Sequence, residues 1–142
     1  MTQLKLRGPD MRVVLDTNVI MSAIFFGGIP GKILDAQKNR KLTLVLSPEI
    51  LSEYQEVAQR LADQFHIEYE PILEWITVNS EMVAHSALKT QVSTDPDDDK
   101  FIACALASGS KIICSGDKHL LDVNGHQGIE ILKPRGFIEK YF

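Results

Sequence analysis

The apolar residues of this chain fall into short unbroken runs that alternate with longer helical stripes. Arg12-Val13-Val14-Leu15 opens the series with β-branched and leucyl residues and no alternation, the pattern of a strand buried on both faces, and Asp16 follows it directly. Leu42 to Leu46, Lys111 to Ser115 and Ile129 to Leu132 repeat the pattern, and Met82-Val83-Ala84 is a shorter candidate strand. A short helix is predicted from Thr17, with Val19, Ile20, Ala23 and Ile24 on one face, broken by the Gly and Pro residues from Gly27 to Gly31. A second is predicted from about Pro30 to Lys38. Ser47-Pro48-Glu49 provides an N-cap, a first-turn proline and a first-turn acid for a long helix. Its stripe is Ile50, Tyr54, Val57, Ala58 and Leu61.

Further helices are expected from about Tyr69 to Ile76, from a cap at Thr94 or Asp95 to the stop at Gly109, over Lys118 to Leu121, and after Pro134. Strands alternating with helices imply a parallel sheet with helices on both faces. The fold class is therefore α/β, a three-layer α/β/α sandwich. The polar stretch Met1 to Met11, with Gly8-Pro9, reads as a leader, and residues 12–142 read as one domain.

The totals narrow the function. A hydrophobic share of 44% and a charged share of 24% lie in the ordinary globular range. No apolar run approaches the ~18 residues of a membrane span, and no signal-peptide core is visible, so a cytoplasmic protein without a membrane partner is expected. Cys104 and Cys114 sit inside apolar segments and read as small buried hydrophobes. The net charge of -4 argues against nucleic-acid binding through a broad basic face. It leaves room for a nuclease whose acids are neutralised by metal.

Four carboxylates share a pattern. Asp16 and Asp117 follow buried strands, where open α/β sheets bind their ligands. Glu53 lies on the border of the long helix's apolar stripe. Asp99 shares a face with Ile102, Ala103 and Leu106 of a core helix. Two such charges ~5 Å apart at an effective dielectric of about 20 repel by about 3 kcal/mol, so a cluster of four calls for a cation or for protons. Oxygen-only ligands select Mg²⁺ or Mn²⁺, and such sites activate water for attack on a phosphodiester.

Each acid also has a plainer reading. Asp16 would cap the next helix, Glu53 would pair with a surface cation, the Asp97-Asp98-Asp99 run suits a helix N-terminus, and Asp117 would make a turn with Gly116. A receiver domain or an aspartyl-phosphate phosphatase also places Asp after a buried strand. The phosphatase needs an acid at position 18, where this chain has Asn18, and the receiver needs an acid pair that Leu15-Asp16 does not supply.

Leu15-Asp16-Thr17-Asn18-Val19, Glu53, the stretch from Asp97 to Ala105 and Ser115-Gly116-Asp117-Lys118-His119-Leu120 together resemble the PIN-domain ribonucleases over about residues 12 to 138. The resemblance implies a five-stranded parallel sheet and one or two Mg²⁺ or Mn²⁺ ions on Asp16, Glu53, Asp99 and Asp117. Asn18 and Ser115 would support that set, and Lys118 and His119 are candidate contacts to substrate. It implies hydrolysis of single-stranded RNA, leaving 5′-phosphate and 3′-hydroxyl ends. Asp-Pro-Asp-Asp-Asp and Ser-Gly-Asp-Lys-His resemble the prokaryotic group of toxins of toxin–antitoxin pairs, which implies a small antitoxin partner and a homodimer. The competing reading is a PIN-fold regulatory module that works by partner or RNA contact with little cleavage.

Overall fold

The computed structural model describes residues 11–84, 88 and 90–142. Apart from Met11, the expected leader lies outside the described residues. Among these, five parallel strands form one sheet in the order β3-β2-β1-β4-β5. The strands are β1 (Arg12–Leu15), β2 (Thr43–Leu46), β3 (Glu81–Met82), β4 (Ile112–Cys114) and β5 (Glu130–Leu132). Helices flank the sheet: α1 (Thr17–Phe25), α2 (Gly28–Lys38), α3 (Pro48–Phe65), α4 (Glu70–Asn79), α5 (Asp99–Ser108), α6 (Lys118–Leu121) and α7 (Pro134–Tyr141). This is the predicted parallel α/β sandwich.

The central place of β1 follows from its composition. Val13, Val14 and Leu15 are buried, and Val13 pairs with Leu44 of β2 on one side and Ile112 of β4 on the other. The chain steps outward from β1 to β2 and β3, then returns to add β4 and β5 on the opposite side. The reversal falls between β1 and β4, and a crevice at the carboxyl ends of those two strands is where such sheets bind ligands. Two core helices cover the sheet near that crevice. Ile50, Tyr54 and Ala58 are the buried stripe of α3, and Phe101, Ile102, Cys104 and Ala105 are the buried body of α5.

Local chemistry fixes the element ends. Ser47 Oγ accepts from the Ile50 amide at 3.2 Å, and Pro48 takes the first position of α3. Gly109, at φ 75°, ends α5. The Arg12 guanidinium donates to the Ser108 carbonyl at 2.7 Å and pairs with Glu81, tying the start of β1 to the end of α5 and to β3. β3 spans Glu81–Met82 rather than the expected Met82-Val83-Ala84, with the Val83 amide still donating to the Leu46 carbonyl at 2.9 Å. α2 starts two residues before Pro30, and α4 runs on to Asn79 instead of stopping at Ile76. Cys104 and Cys114 are free and buried, and burial pushes both thiols up to about 12. Among the described residues no single helix is long and apolar enough to cross a membrane.

The largest departure lies before α5. A single helix is expected from a cap at Thr94 or Asp95, but a 3₁₀ turn, Pro96–Asp98, capped by Asp95, precedes it. Asp95 Oδ1 accepts from the Asp97 amide at 3.0 Å and closes that turn. A 3₁₀ turn advances about 120° per residue rather than 100°, so the phase of α5, which begins at Asp99, does not extend to Asp98.

Candidate active site

Asp16 stands one residue beyond β1, and its amide continues the sheet by donating to the Cys114 carbonyl at 3.0 Å. Its side chain is 4% exposed. Oδ1 accepts from the Val19 amide at 2.9 Å, capping α1, while Oδ2 accepts from the Ser115 hydroxyl. Capping therefore accounts for one oxygen only, and Ser115 holds the other. Burial raises the Asp16 pKa, the Ser115 and Val19 hydrogen bonds oppose that, and the charges of Asp117 and Glu53 add to it.

Ser115 follows β4 and is fully buried. Its hydroxyl donates to Asp16 and accepts from the Asp117 amide at 2.9 Å, joining two of the acids through one atom. Asp117 in turn caps α6, its Oδ1 accepting from the His119 amide at 2.8 Å.

Within the acidic run the structure departs from the phase argument. Asp99 is half-buried and turned to the preceding loop, where its two oxygens accept from the Val92 and Ser93 amides at 3.0 and 2.8 Å. The carboxylate turned toward the other acids is Asp98, 9% exposed, with Oδ2 buried and without a hydrogen-bond partner. Burial raises the Asp98 pKa from 3.8 to about 7, helped by the charges of Asp117, Asp95 and Asp16 and by a hydrogen bond shared with Asp117. Two carboxylates share such a bond only while one of them is protonated. Asp99 opens α5 in the expected phase, but the loop at Val92 and Ser93 occupies its carboxylate, while the 3₁₀ turn brings Asp98 to the crevice.

Glu53 lies at the edge of the α3 stripe, as expected. Both of its oxygens are engaged. Oε2 accepts from the Thr17 hydroxyl, and Oε1 pairs with Lys100 Nζ at 2.7 Å. Thr17 and Lys100 both lie inside the motif stretches, yet neither is singled out there as a site residue. One signal was present for Lys100: a lysine in the first turn of a helix opposes the helix dipole and needs a local anion. Beside Glu53, Tyr54 is buried and donates from its hydroxyl to the Leu15 carbonyl at 2.5 Å. Burial, then the Asp16 charge, raises that phenol well above its ordinary pKa.

The remaining candidates line the surface. Asn18 is exposed at the start of α1. Lys118 is exposed and 3.9 Å from Asp122. His119 is exposed, with Nδ1 2.7 Å from the Thr94 hydroxyl.

Among the described residues, no three acid, histidine or cysteine side chains are grouped closely enough to hold a metal ion as they stand. The donor set nevertheless fits a hard divalent cation in kind. It is all oxygen, it carries a buried acceptor without a donor in Asp98 Oδ2, and it contains two carboxyls whose ionisation is suppressed.

Comparison with known proteins places this geometry in a family. The protein MJ1680 of Methanocaldococcus jannaschii, whose function is uncharacterized, is 32% identical over 150 aligned residues, which cover 96% of this chain and 96% of that one. The crystal structure of PAE2754 from Pyrobaculum aerophilum matches with a TM-score of 0.59 at 14% identity, covering 96% of this chain and 94% of that chain, a likeness of fold alone. A family model for the PIN domain matches residues 12–119, a span that includes Asp16, Glu53, Asp98, Asp99 and Asp117. PIN domains are in general nucleases and typically use divalent metal ions. By that match, which covers most of its length, the chain belongs to the PIN domain family.

Proposed function

We propose that the protein is a Mg²⁺- or Mn²⁺-dependent endoribonuclease that hydrolyses single-stranded RNA in the cytoplasm as the toxin of a toxin–antitoxin pair. The observation that carries the nuclease reading is the buried, unpartnered Asp98 Oδ2 beside Asp117 and Asp16. Asp16, Asp98 and Asp117 would hold the metal, with Glu53 completing the set; Asp98 replaces Asp99 in that role. A divalent cation bound there supplies Lewis acidity, lowering the pKa of water and offsetting phosphodiester charge.

The chain's own residues prepare the site. Ser115 fixes Asp16 and Asp117 relative to each other, so both are aimed before any ligand arrives. Burial and the charges of Asp117, Asp95 and Asp16 favour the protonated form of Asp98, and a cation bound there would take the place of that proton. Lys118 and His119, exposed next to Asp117, would contact RNA phosphate. The toxin assignment draws its support from the Asp-Pro-Asp-Asp-Asp and Ser-Gly-Asp-Lys-His stretches.

The test is cleavage of a mixed-sequence single-stranded RNA with Mg²⁺, Mn²⁺ or EDTA by the wild type and Asp98→Asn. Loss of a supporting group typically costs 10–100-fold, so loss of a direct ligand is expected to slow cutting by about 100-fold or more. EDTA should stop it. Equal cutting by both proteins, or cutting in EDTA, would refute the assignment. One observation favours the regulatory-module reading: both Glu53 oxygens are already engaged. Absence of Mn²⁺ binding would select that reading.

A further inference from the structure

We propose that Lys100 is a built-in counter-cation of the acid cluster, which keeps Glu53 out of the metal-holding set until a divalent cation displaces it. The inference rests on the metal-dependent reading above and concerns how that site is regulated.

Three features of Lys100 converge. Its side chain is only 18% exposed, unusual for lysine. It sits in the first turn of α5, where the helix dipole disfavours a positive charge by about 0.3–1 kcal/mol. And its ammonium bridges two pieces of the site, pairing with Glu53 Oε1 at 2.7 Å and donating to the Asp97 carbonyl at 2.6 Å, while lying 5.2 Å from the centre of the Phe101 ring. Asp97 belongs to the 3₁₀ turn that carries Asp98. One cation therefore clamps α3 to the turn holding the unpartnered carboxylate oxygen. With Thr17 on its other oxygen, Glu53 has no oxygen without a partner. A divalent cation that recruits Glu53 must break the Lys100 pair and tolerate the ammonium nearby. Lys100 is thus a positioning residue that acts through Glu53, lowering metal affinity while stabilising the metal-free protein.

The test is Mn²⁺ titration by calorimetry, with melting in EDTA, on the full chain as wild type, Lys100→Met, Lys100→Gln, Lys100→Arg, Glu53→Gln and the Lys100→Met/Glu53→Gln double variant. A partly exposed ion pair is worth about 1 kcal/mol, so Lys100→Met is expected to bind Mn²⁺ about fivefold more tightly. It should also melt lower in EDTA and recover with saturating Mn²⁺. Lys100→Arg should keep wild-type affinity, and the gain should disappear in the Glu53→Gln background. Lys100→Gln retains a donor for the Asp97 carbonyl and should follow Lys100→Met, which guards against a folding defect in the latter. Unchanged or weaker binding by both neutral variants, or an equal gain without Glu53, would overturn the proposal and leave the metal site standing. If the wild type binds no Mn²⁺, the metal-dependent reading falls and this proposal with it.

Discussion

Asp98 and Asp99 are adjacent and chemically identical, yet their replacement by asparagine is expected to shift stability in opposite directions. Asp98 is pushed up to about 7 from 3.8, so the folded state holds its proton more tightly than the unfolded chain does. Stability contributed by this group is full below about pH 4, where both states are protonated, and falls as pH rises through the interval up to 7. An asparagine in place of Asp98 would mimic the protonated form at every pH. The full linkage for a shift of this size is about 4 kcal/mol, which solvent screening reduces to about 1–2 kcal/mol. At about 2–4 °C per kcal/mol for a chain near this length, Asp98→Asn should melt about 2–8 °C higher at pH 8 in EDTA. The gain should shrink at pH 5 and vanish near pH 4.

Asp99→Asn removes one of two carboxylate oxygens that accept from the Val92 and Ser93 amides, and sets an NH₂ group against an N–H. Hydrogen bonds to a charged group are worth about 1.5–3 kcal/mol, so a loss of about 2 kcal/mol is expected, with a lower melting point at both pH values. The assay is thermal melting by circular dichroism across pH 4–8 in EDTA. Destabilisation by Asp98→Asn at pH 8, or stabilisation by Asp99→Asn, would refute the assignment of the two acids.

Ser115→Ala should raise the Asp16 pKa further, because the hydroxyl bond lowers it, and should weaken Mn²⁺ binding by about tenfold, as read by calorimetry at pH 7. Tyr54→Phe deprives the buried Leu15 carbonyl of its donor and should cost about 1–2 kcal/mol in urea unfolding, with unchanged Mn²⁺ affinity; a large loss of affinity would place Tyr54 in the site itself.

Much of this arrangement is legible in the residues. Unbroken apolar runs mark strands buried on both faces, and β1 proves to be the central one. Ser47-Pro48-Glu49 marks the start of α3, and the edge of its stripe locates Glu53. The reading fails at what the face of α5 meets: Asp99 opens the helix in the expected phase but meets the Val92-Ser93 loop, not the other acids. Asp95 and Pro96 favour a tight turn as readily as an N-cap, and that choice decides which of two neighbouring acids faces the crevice. Thr17 and Lys100 escape notice for another reason. Their partner Glu53 comes from a helix far away in sequence, and only the packing of α3 against α1 and α5 brings them to it.

The order β3-β2-β1-β4-β5 has a consequence for synthesis on the ribosome. The central strand emerges first, and its second neighbour, β4, nearly a hundred residues later. A nascent chain that ends before Ile112 therefore holds β1 as a raw apolar edge, open to pairing with other chains. Asp98 by then faces no Asp117, and Asp16 lacks the Ser115 hydroxyl. The emerging polypeptide is thus sticky and without its assembled acid cluster over the same interval, and the arrival of β4 with the residues just after it ends both conditions.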